Sequence, residues 1–327
     1  MRRVVRRQFL IAAGALFAAP LTAAAQRSGK VYRIGWLQPA RLAPRWADGF
    51  RDGLRDLGYV EGKNLIIEYR WADGRFDRLA DLAGELVRLD VDLIVSGNTT
   101  AVLAIKQVTT KIPVVMLGLG DPIATGVVDS LARPGRNVTG VIQMSPILSA
   151  KRLEVLKATV PGLSRAAVFS NSASPQVELT LKETEAAARA LSVSLLPVDV
   201  RHPGELERAF SAILGDRIEA LILLPDSMHH AQRGRIIEFA ARQRMPSISA
   251  WREFAEDGGL MVYGPDVSDL YRRGAAFVDK ILKGSKPGDL PIEQPTKFEF
   301  IINLKTAKAI GLTIPRTLLL RADQVIE

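Results

Sequence analysis

The sequence predicts an α/β protein of two lobes, each built on a parallel β-sheet. Short apolar runs typical of buried strands alternate with amphipathic helical stretches along the chain. The series then restarts, and each half has a proline directly before its fourth strand, Pro113 in the first and Pro246 in the second. The halves share an arrangement of elements and not their residues. We therefore expect two similar lobes with a cleft between them that closes on a small ligand.

Residues 1–25 are predicted to be an export signal that is absent from the working protein. Four arginines precede an apolar stretch over residues 9–21, and Ala23-Ala24-Ala25 follows as a small-residue cleavage site. The apolar stretch is shorter than a bilayer-spanning helix requires. Arg6-Arg7 resembles a twin-arginine signal, and the general secretory route is the alternative. We expect cleavage near Ala25 and an exported product.

The charge balance argues against nucleic acid as a partner. The 327 residues include 44 Lys and Arg against 35 Asp and Glu, a net charge of +9; residues 1–25 hold four of the arginines and no acid, which leaves +5. The remaining basic residues are interspersed with acids and form no stripe with interleaved aromatic residues. The sequence has no cysteine, which excludes disulfides, cysteine-ligated metal sites and thiol nucleophiles. We expect no metal and no cofactor.

The predicted elements fall into two consecutive series. In the first half, strands are predicted at residues 32–37, 65–69, 93–96 and 114–117, and helices at 46–57, 77–89 and 99–108. In the second half, strands are predicted at 166–170, 194–198, 220–224 and 247–250, and helices at 176–191, 205–214 and 234–244. Crossings between the lobes are predicted at 140–145, 262–266 and 298–303. Lobe 1 is then 26–142 plus 264–298, and lobe 2 is 143–263 plus 299–327.

Polar residues at the predicted strand ends are the candidate ligand contacts, because ligands of parallel sheets bind beyond the carboxyl ends of the strands. Asn98 and Thr99 open a helix whose free N–H groups suit an anion, and Asp121 is placed to take a ligand ammonium. The matching places in the second half, and one next to a predicted crossing, hold Asn171, Asp226, Trp251 and Tyr263. Trp251 is suited to stacking on a flat ligand. Each polar residue alone also fits a helix cap or a turn.

Catalysis has little support in the sequence. It contains no G-x-S-x-G, H-E-x-x-H or Walker motif, and its three histidines all lie in the second half. A secreted hydrolase or isomerase that uses Asp226 and His230 is the enzyme alternative. We expect a protein that is not an enzyme.

Several longer segments share a family pattern: Gly58-Tyr59-Val60-Glu61-Gly62-Lys63-Asn64-Leu65, Gly120-Asp121-Pro122, Asn137-Val138-Thr139-Gly140, Gly258-Gly259-Leu260-Met261, Tyr263-Gly264-Pro265 and Asn303-Leu304-Lys305-Thr306. With them the chain resembles the ABC transporter substrate-binding proteins whose better-known members bind tryptophan or tyrosine. The resemblance implies the type I periplasmic binding fold, two Rossmann-like lobes joined by a three-segment hinge. It further implies a monomer in the periplasm that delivers a small polar or aromatic solute to an ABC permease in the inner membrane. A sensor that presents its solute to a membrane receptor is the alternative.

Overall fold

The structure is a computed structural model that describes residues 30–41, 43–143 and 145–327. The predicted export signal, residues 1–25, lies outside the described residues. Tyr32–Glu327 form one compact unit. Within the described part of the chain, every helix is too short or too polar to cross a membrane.

The first sheet is parallel throughout and agrees with the first predicted series. Its strands are β1 (Tyr32–Gln38), β2 (Leu65–Trp71), β3 (Leu93–Ser96), β4 (Val114–Leu119) and β5 (Val138–Ile142), and its intervening helices are α1 (Pro44–Asp56), α2 (Leu79–Arg88) and α3 (Thr99–Val108). The spatial order is β2-β1-β3-β4-β5. The fifth strand is an addition, because part of it was predicted as a crossing at 140–145. After β5 the chain passes to the elements of the second sheet.

The second sheet has seven strands and is mixed. Its elements are α4 (Ser145–Thr159), β6 (Arg165–Ser170), α5 (Val177–Ala190), β7 (Ser194–Asp199), α6 (Leu206–Gly215), β8 (Ala220–Leu223), α7 (Ser227–Ala231), α8 (Arg233–Arg242), β9 (Ser247–Ser249), α9 (Glu253–Glu256), β10 (Met261–Pro265), α10 (Val267–Leu282), β11 (Phe298–Asn303), α11 (Leu304–Ala309), α12 (Arg316–Leu319) and β12 (Gln324–Ile326). The strand order is β12-β11-β10-β9-β8-β6-β7. The pair β10–β11 is antiparallel, so the expectation of a wholly parallel second sheet is wrong for this pair.

The helix α10 follows a strand of the second sheet in sequence but packs against the first sheet. Its partner is α1, and two glycines of α1 allow the close approach: a Cβ on Gly53 would lie 2.5 Å from the carbonyl oxygen of Arg272, and one on Gly49 would lie 2.6 Å from that of Ser268. We call the first sheet with α1, α2, α3 and α10 the first lobe, and the second sheet with its remaining helices the second lobe. Each lobe thus draws on separate stretches of the chain.

One charged side chain lies wholly inside the second lobe. Arg152 of α4 is fully buried, and its Nε donates to the carbonyl oxygen of Tyr263 at 2.9 Å while Nη1 donates to Ser149 Oγ at 2.8 Å. Burial lowers the pKa of this guanidinium to about 9. The bond to Tyr263 ties α4, the first element of the second lobe, to the strand β10 that leads back to the first lobe.

Candidate functional site

A cleft between the lobes lies at the carboxyl ends of the strands of both sheets. Its innermost cavity has a volume of about 40 Å³, room for only a few water molecules. Two further cavities of about 200 Å³ each extend it, and Ser227 at the start of α7 lines all three. The residues around the innermost cavity lie at or after the carboxyl ends of β1, β3, β4, β5, β6, β8 and β9, or face it from α1 and α10. This is the position expected for a ligand site in an α/β protein.

The start of α3 lines this cavity, as the sequence predicts for Asn98 and Thr99. The Asn98 side chain caps the helix by accepting from Ala101 N at 3.1 Å. Helix geometry leaves the N–H groups of Thr99 and Thr100 without partners inside the helix, and both residues line the cavity. Across the cleft, Asn98 Nδ2 donates to Ser227 Oγ at 3.5 Å. The side chain therefore acts both as a helix cap and as a link between the lobes.

Among the described residues that line this cavity, Asp226 has the only carboxylate, and none is a lysine, arginine or histidine. Its Oδ1 accepts from Met228 N at 2.9 Å and from His229 N at 3.1 Å, which caps α7. Its Oδ2 accepts from Asn171 Nδ2 at 3.1 Å. Asn171 is buried and does not line the cavity, so it acts on the site through Asp226.

Two other predicted contacts lie elsewhere. Asp121 does not line the cavity, because its Oδ1 accepts from Ile123 N at 2.9 Å and from Ala124 N at 3.0 Å and so closes a turn. Tyr263 belongs to the core of the second lobe, where its ring lies 6.1 Å from that of Phe300. The sequence did not show that the Asp121 carboxylate closes a turn. It also did not show that the Tyr263 side chain points from its strand into the core of the second lobe.

Aromatic rings from both lobes form one wall of the cleft. Trp251 of the second lobe meets Trp46 of α1 edge to face, with ring centroids 5.2 Å apart at 76°. Trp46 also stacks on His230 of the second lobe at 5.0 Å and 21°. Burial, with the nearby charge of Arg233, lowers the pKa of His230 to about 3, so the imidazole is neutral at pH 7. Stacking, and not proton transfer to Asp226, is what the geometry of His230 provides.

Glutamine side chains line the cavity in addition to the residues predicted from the sequence. Gln38 Nε2 donates to Tyr271 Oη at 3.4 Å, and burial raises the pKa of Tyr271, which keeps its hydroxyl neutral. The buried Oε1 of Gln176 has no hydrogen-bond partner among the residues that the structure describes, and it lies against Gly120 of the other lobe, where a Cβ would overlap it. Gln143 follows β5 directly. The available signal was position, because Gln38 and Gln143 both stand at the carboxyl end of a strand.

No group of three or more His, Cys, Asp or Glu in the described ranges is arranged to hold a metal ion.

A family model described as "ABC transporter substrate binding protein" matches residues 38–326.

This chain belongs to that family.

Three other proteins are similar to this chain over most of its length. A conserved domain protein of Vibrio cholerae is 26% identical with a TM-score of 0.86, over 90% of this chain and 100% of that chain. An ABC domain from Streptococcus pneumoniae in complex with L-Trp is 26% identical with a TM-score of 0.84, over 90% of this chain and 99% of that chain. A tyrosine-binding protein of Clostridioides difficile is 26% identical over 265 residues, 81% of this chain and 76% of the relative. The predicted family and the predicted α/β fold of a substrate-binding protein are confirmed.

Proposed function

We propose that this substrate-binding protein captures a small amino-acid-like solute with a flat side chain in the cleft and delivers it to an ABC permease in the inner membrane. It works in the periplasm as a monomer, without catalysis. The observation that supports this most directly is the cavity between the lobes, with two tryptophans, several carboxamides and a single carboxylate in its wall. The two amino-acid-binding relatives support the solute class.

The ends of such a solute fit the two polar sides of the cavity. The free N–H groups and hydroxyls of Thr99 and Thr100 suit a carboxylate. Asp226, and not Asp121, is the carboxylate available for the ammonium group. Trp46 and Trp251 provide flat apolar surfaces for the side chain.

Closure of the lobes would enclose the solute. We propose the division predicted from the sequence, 26–142 plus 264–298 against 143–263 plus 299–327, with the hinge where the chain crosses. A chain that passes between the sheets after β5, after β10 and before β11 supports this division. Bending at a few such residues is the usual means of closure in binding proteins.

The variant Asp226→Asn tests the proposed ammonium contact. Asparagine keeps an oxygen for the cap of α7 and removes the charge, so we expect L-tryptophan and L-tyrosine to bind about tenfold more weakly or worse by calorimetry. Asp121→Asn is the matched control, because Asp121 accepts from backbone N–H groups two and three residues on in the same way but lies outside the cavity. We expect less than about a twofold change there. Equal losses in both variants would contradict the role of Asp226, and absence of binding to wild-type protein would contradict the solute class.

A further inference from the structure

Gln143 connects a tryptophan of the second lobe to the backbone of the first. Its Oε1 accepts from Trp251 Nε1 at 3.2 Å, and its Nε2 donates to the carbonyl oxygen of Gly118. One carboxamide thus uses both of its ends in hydrogen bonds to opposite sides of the cleft. All three residues line the innermost cavity.

The first-lobe side of this connection is rigid. The backbone N–H of Gln143 donates to the carbonyl oxygen of Leu119 at 2.7 Å. Gly118 has a φ of +86° and lies at the irregularity in the pairing of β4 with β5, which turns its carbonyl out of the ladder. A Cβ on Gly118 would already touch Gln143 Cγ at 3.4 Å. The side chain is therefore held from its backbone to its amide.

The second-lobe side is the aromatic wall. Trp251 follows β9 and is buried, and its ring meets the rings of Trp46 and His230 edge to face, at 5.2 and 4.9 Å. An indole has one hydrogen-bond donor, and here Gln143 accepts it. A flipped indole would point its N–H away from Gln143. This single hydrogen bond therefore selects one of the two orientations of the ring in the cavity wall.

We infer that Gln143 is a positioning residue that sets the orientation of Trp251 in the cleft wall, and thereby the rate at which a bound solute leaves. Gln143 lies where the chain first passes from one lobe to the other. The length of its hydrogen bond to Trp251 therefore also depends on the angle between the lobes. The effect on solute release rests on the proposed function. The effect on Trp251 does not.

The first experiment needs no solute. The fluorescence of Trp251 is isolated as the difference between a protein and its Trp251→Phe derivative. In Gln143→Leu the indole N–H loses its amide acceptor, so we expect this difference spectrum to move to shorter wavelength, while Gln107→Leu, an exposed control on α3, leaves it in place. An unchanged spectrum in Gln143→Leu would overturn the inference.

The second experiment measures binding of L-tyrosine by stopped flow in a double-mutant cycle. We expect Gln143→Leu to raise the dissociation rate constant about tenfold and to change the association rate constant by less than about threefold. In a Trp251→Phe background, which has no indole N–H, the same substitution should change dissociation by less than about twofold. Equal effects in both backgrounds would overturn the link to Trp251. Absence of L-tyrosine binding to wild-type protein would count against the proposed solute, and the spectroscopic result would still decide the role of Gln143.

Discussion

Binding of L-tryptophan or L-tyrosine should weaken about tenfold when the pH is lowered from 7.5 to 5.5. In the structure, burial and the charge of Arg233 lower the pKa of His230 from 6.5 to about 3. If the cleft opens as proposed, His230 would separate from Trp46, and the imidazole would be exposed to water. The neutral ring therefore stabilises closure fully above pH 6.5, and this contribution is lost as the pH falls from 6.5 toward 3, because protonation then favours the open form.

The groups around His230 define the control. Arg233 forms an ion pair with Asp257 at 2.7 Å, and Asp226 accepts from backbone N–H groups. Arg41 and His230 both line one of the two further cavities of the cleft. Burial raises the pKa of Glu253 on α9, so its protonation on acidification acts in the opposite direction. His230→Phe keeps a ring for stacking and removes the titration, so its affinity should be nearly the same at both pH values by calorimetry. A tenfold loss that persists in His230→Phe, or one that His202→Gln removes, would refute this assignment.

The substitution Gly264→Ala should strongly destabilise the fold. Gly264 lies in β10, and a Cβ there would overlap the carbonyl oxygen of Ala250 and lie 3.0 Å from its carbonyl carbon. These are backbone atoms, so β10 itself must move away from the segment that leads to Trp251. We expect the free energy of unfolding to fall by about 3 kcal/mol and Tm by about 10 °C.

Gly215→Ala is the matched control for this prediction. Gly215 ends α6 and is exposed, and apart from its chain neighbours and its own helix backbone no atom of the described residues lies within 4 Å of the position of a Cβ. A change within about 0.5 kcal/mol is expected there, because alanine favours the helix. Calorimetric or chemical unfolding of both variants provides the comparison. If Gly264→Ala unfolds like Gly215→Ala, the contact between β10 and Ala250 is looser than described.

Much of the fold could be predicted because local patterns decided it. The strand β3 and the helix α3 begin and end at the predicted residues, since a strand with three consecutive apolar residues, followed by an asparagine cap, leaves little choice. The strands β5, β10 and β11 overlapped segments predicted only as crossings. The antiparallel pair of β10 with β11 forms across the intervening helix α10, and no local period shows such a pairing.

The candidate site was predictable to the extent that strand ends define it. Asn98, Thr99, Asp226 and Trp251 do line the innermost cavity. Asp121 follows a strand as well, but its carboxylate closes a turn two residues on, a local hydrogen bond that competes with any ligand.

Residues that reach the cavity from helices were not predictable in this way. Trp46 lies on α1 and Tyr271 lies on α10, and the position of α10 against α1 depends on contacts between segments more than two hundred residues apart. The apolar periodicity of a helix predicts that one of its faces is buried, but it does not predict which sheet or cleft that face contacts.

The packing of α10 on α1 has a consequence for how the chain is made. The apolar cluster between the first sheet and these helices includes Phe50 near its beginning and Phe277 near its end. A ribosome that has released only the residues up to β10 has therefore exposed a first lobe with one side uncovered. Contacts this distant in sequence form late. We expect the emerging chain to remain open to chaperones and proteases until residue 282 has been added, so the first lobe is first in sequence but not first to fold.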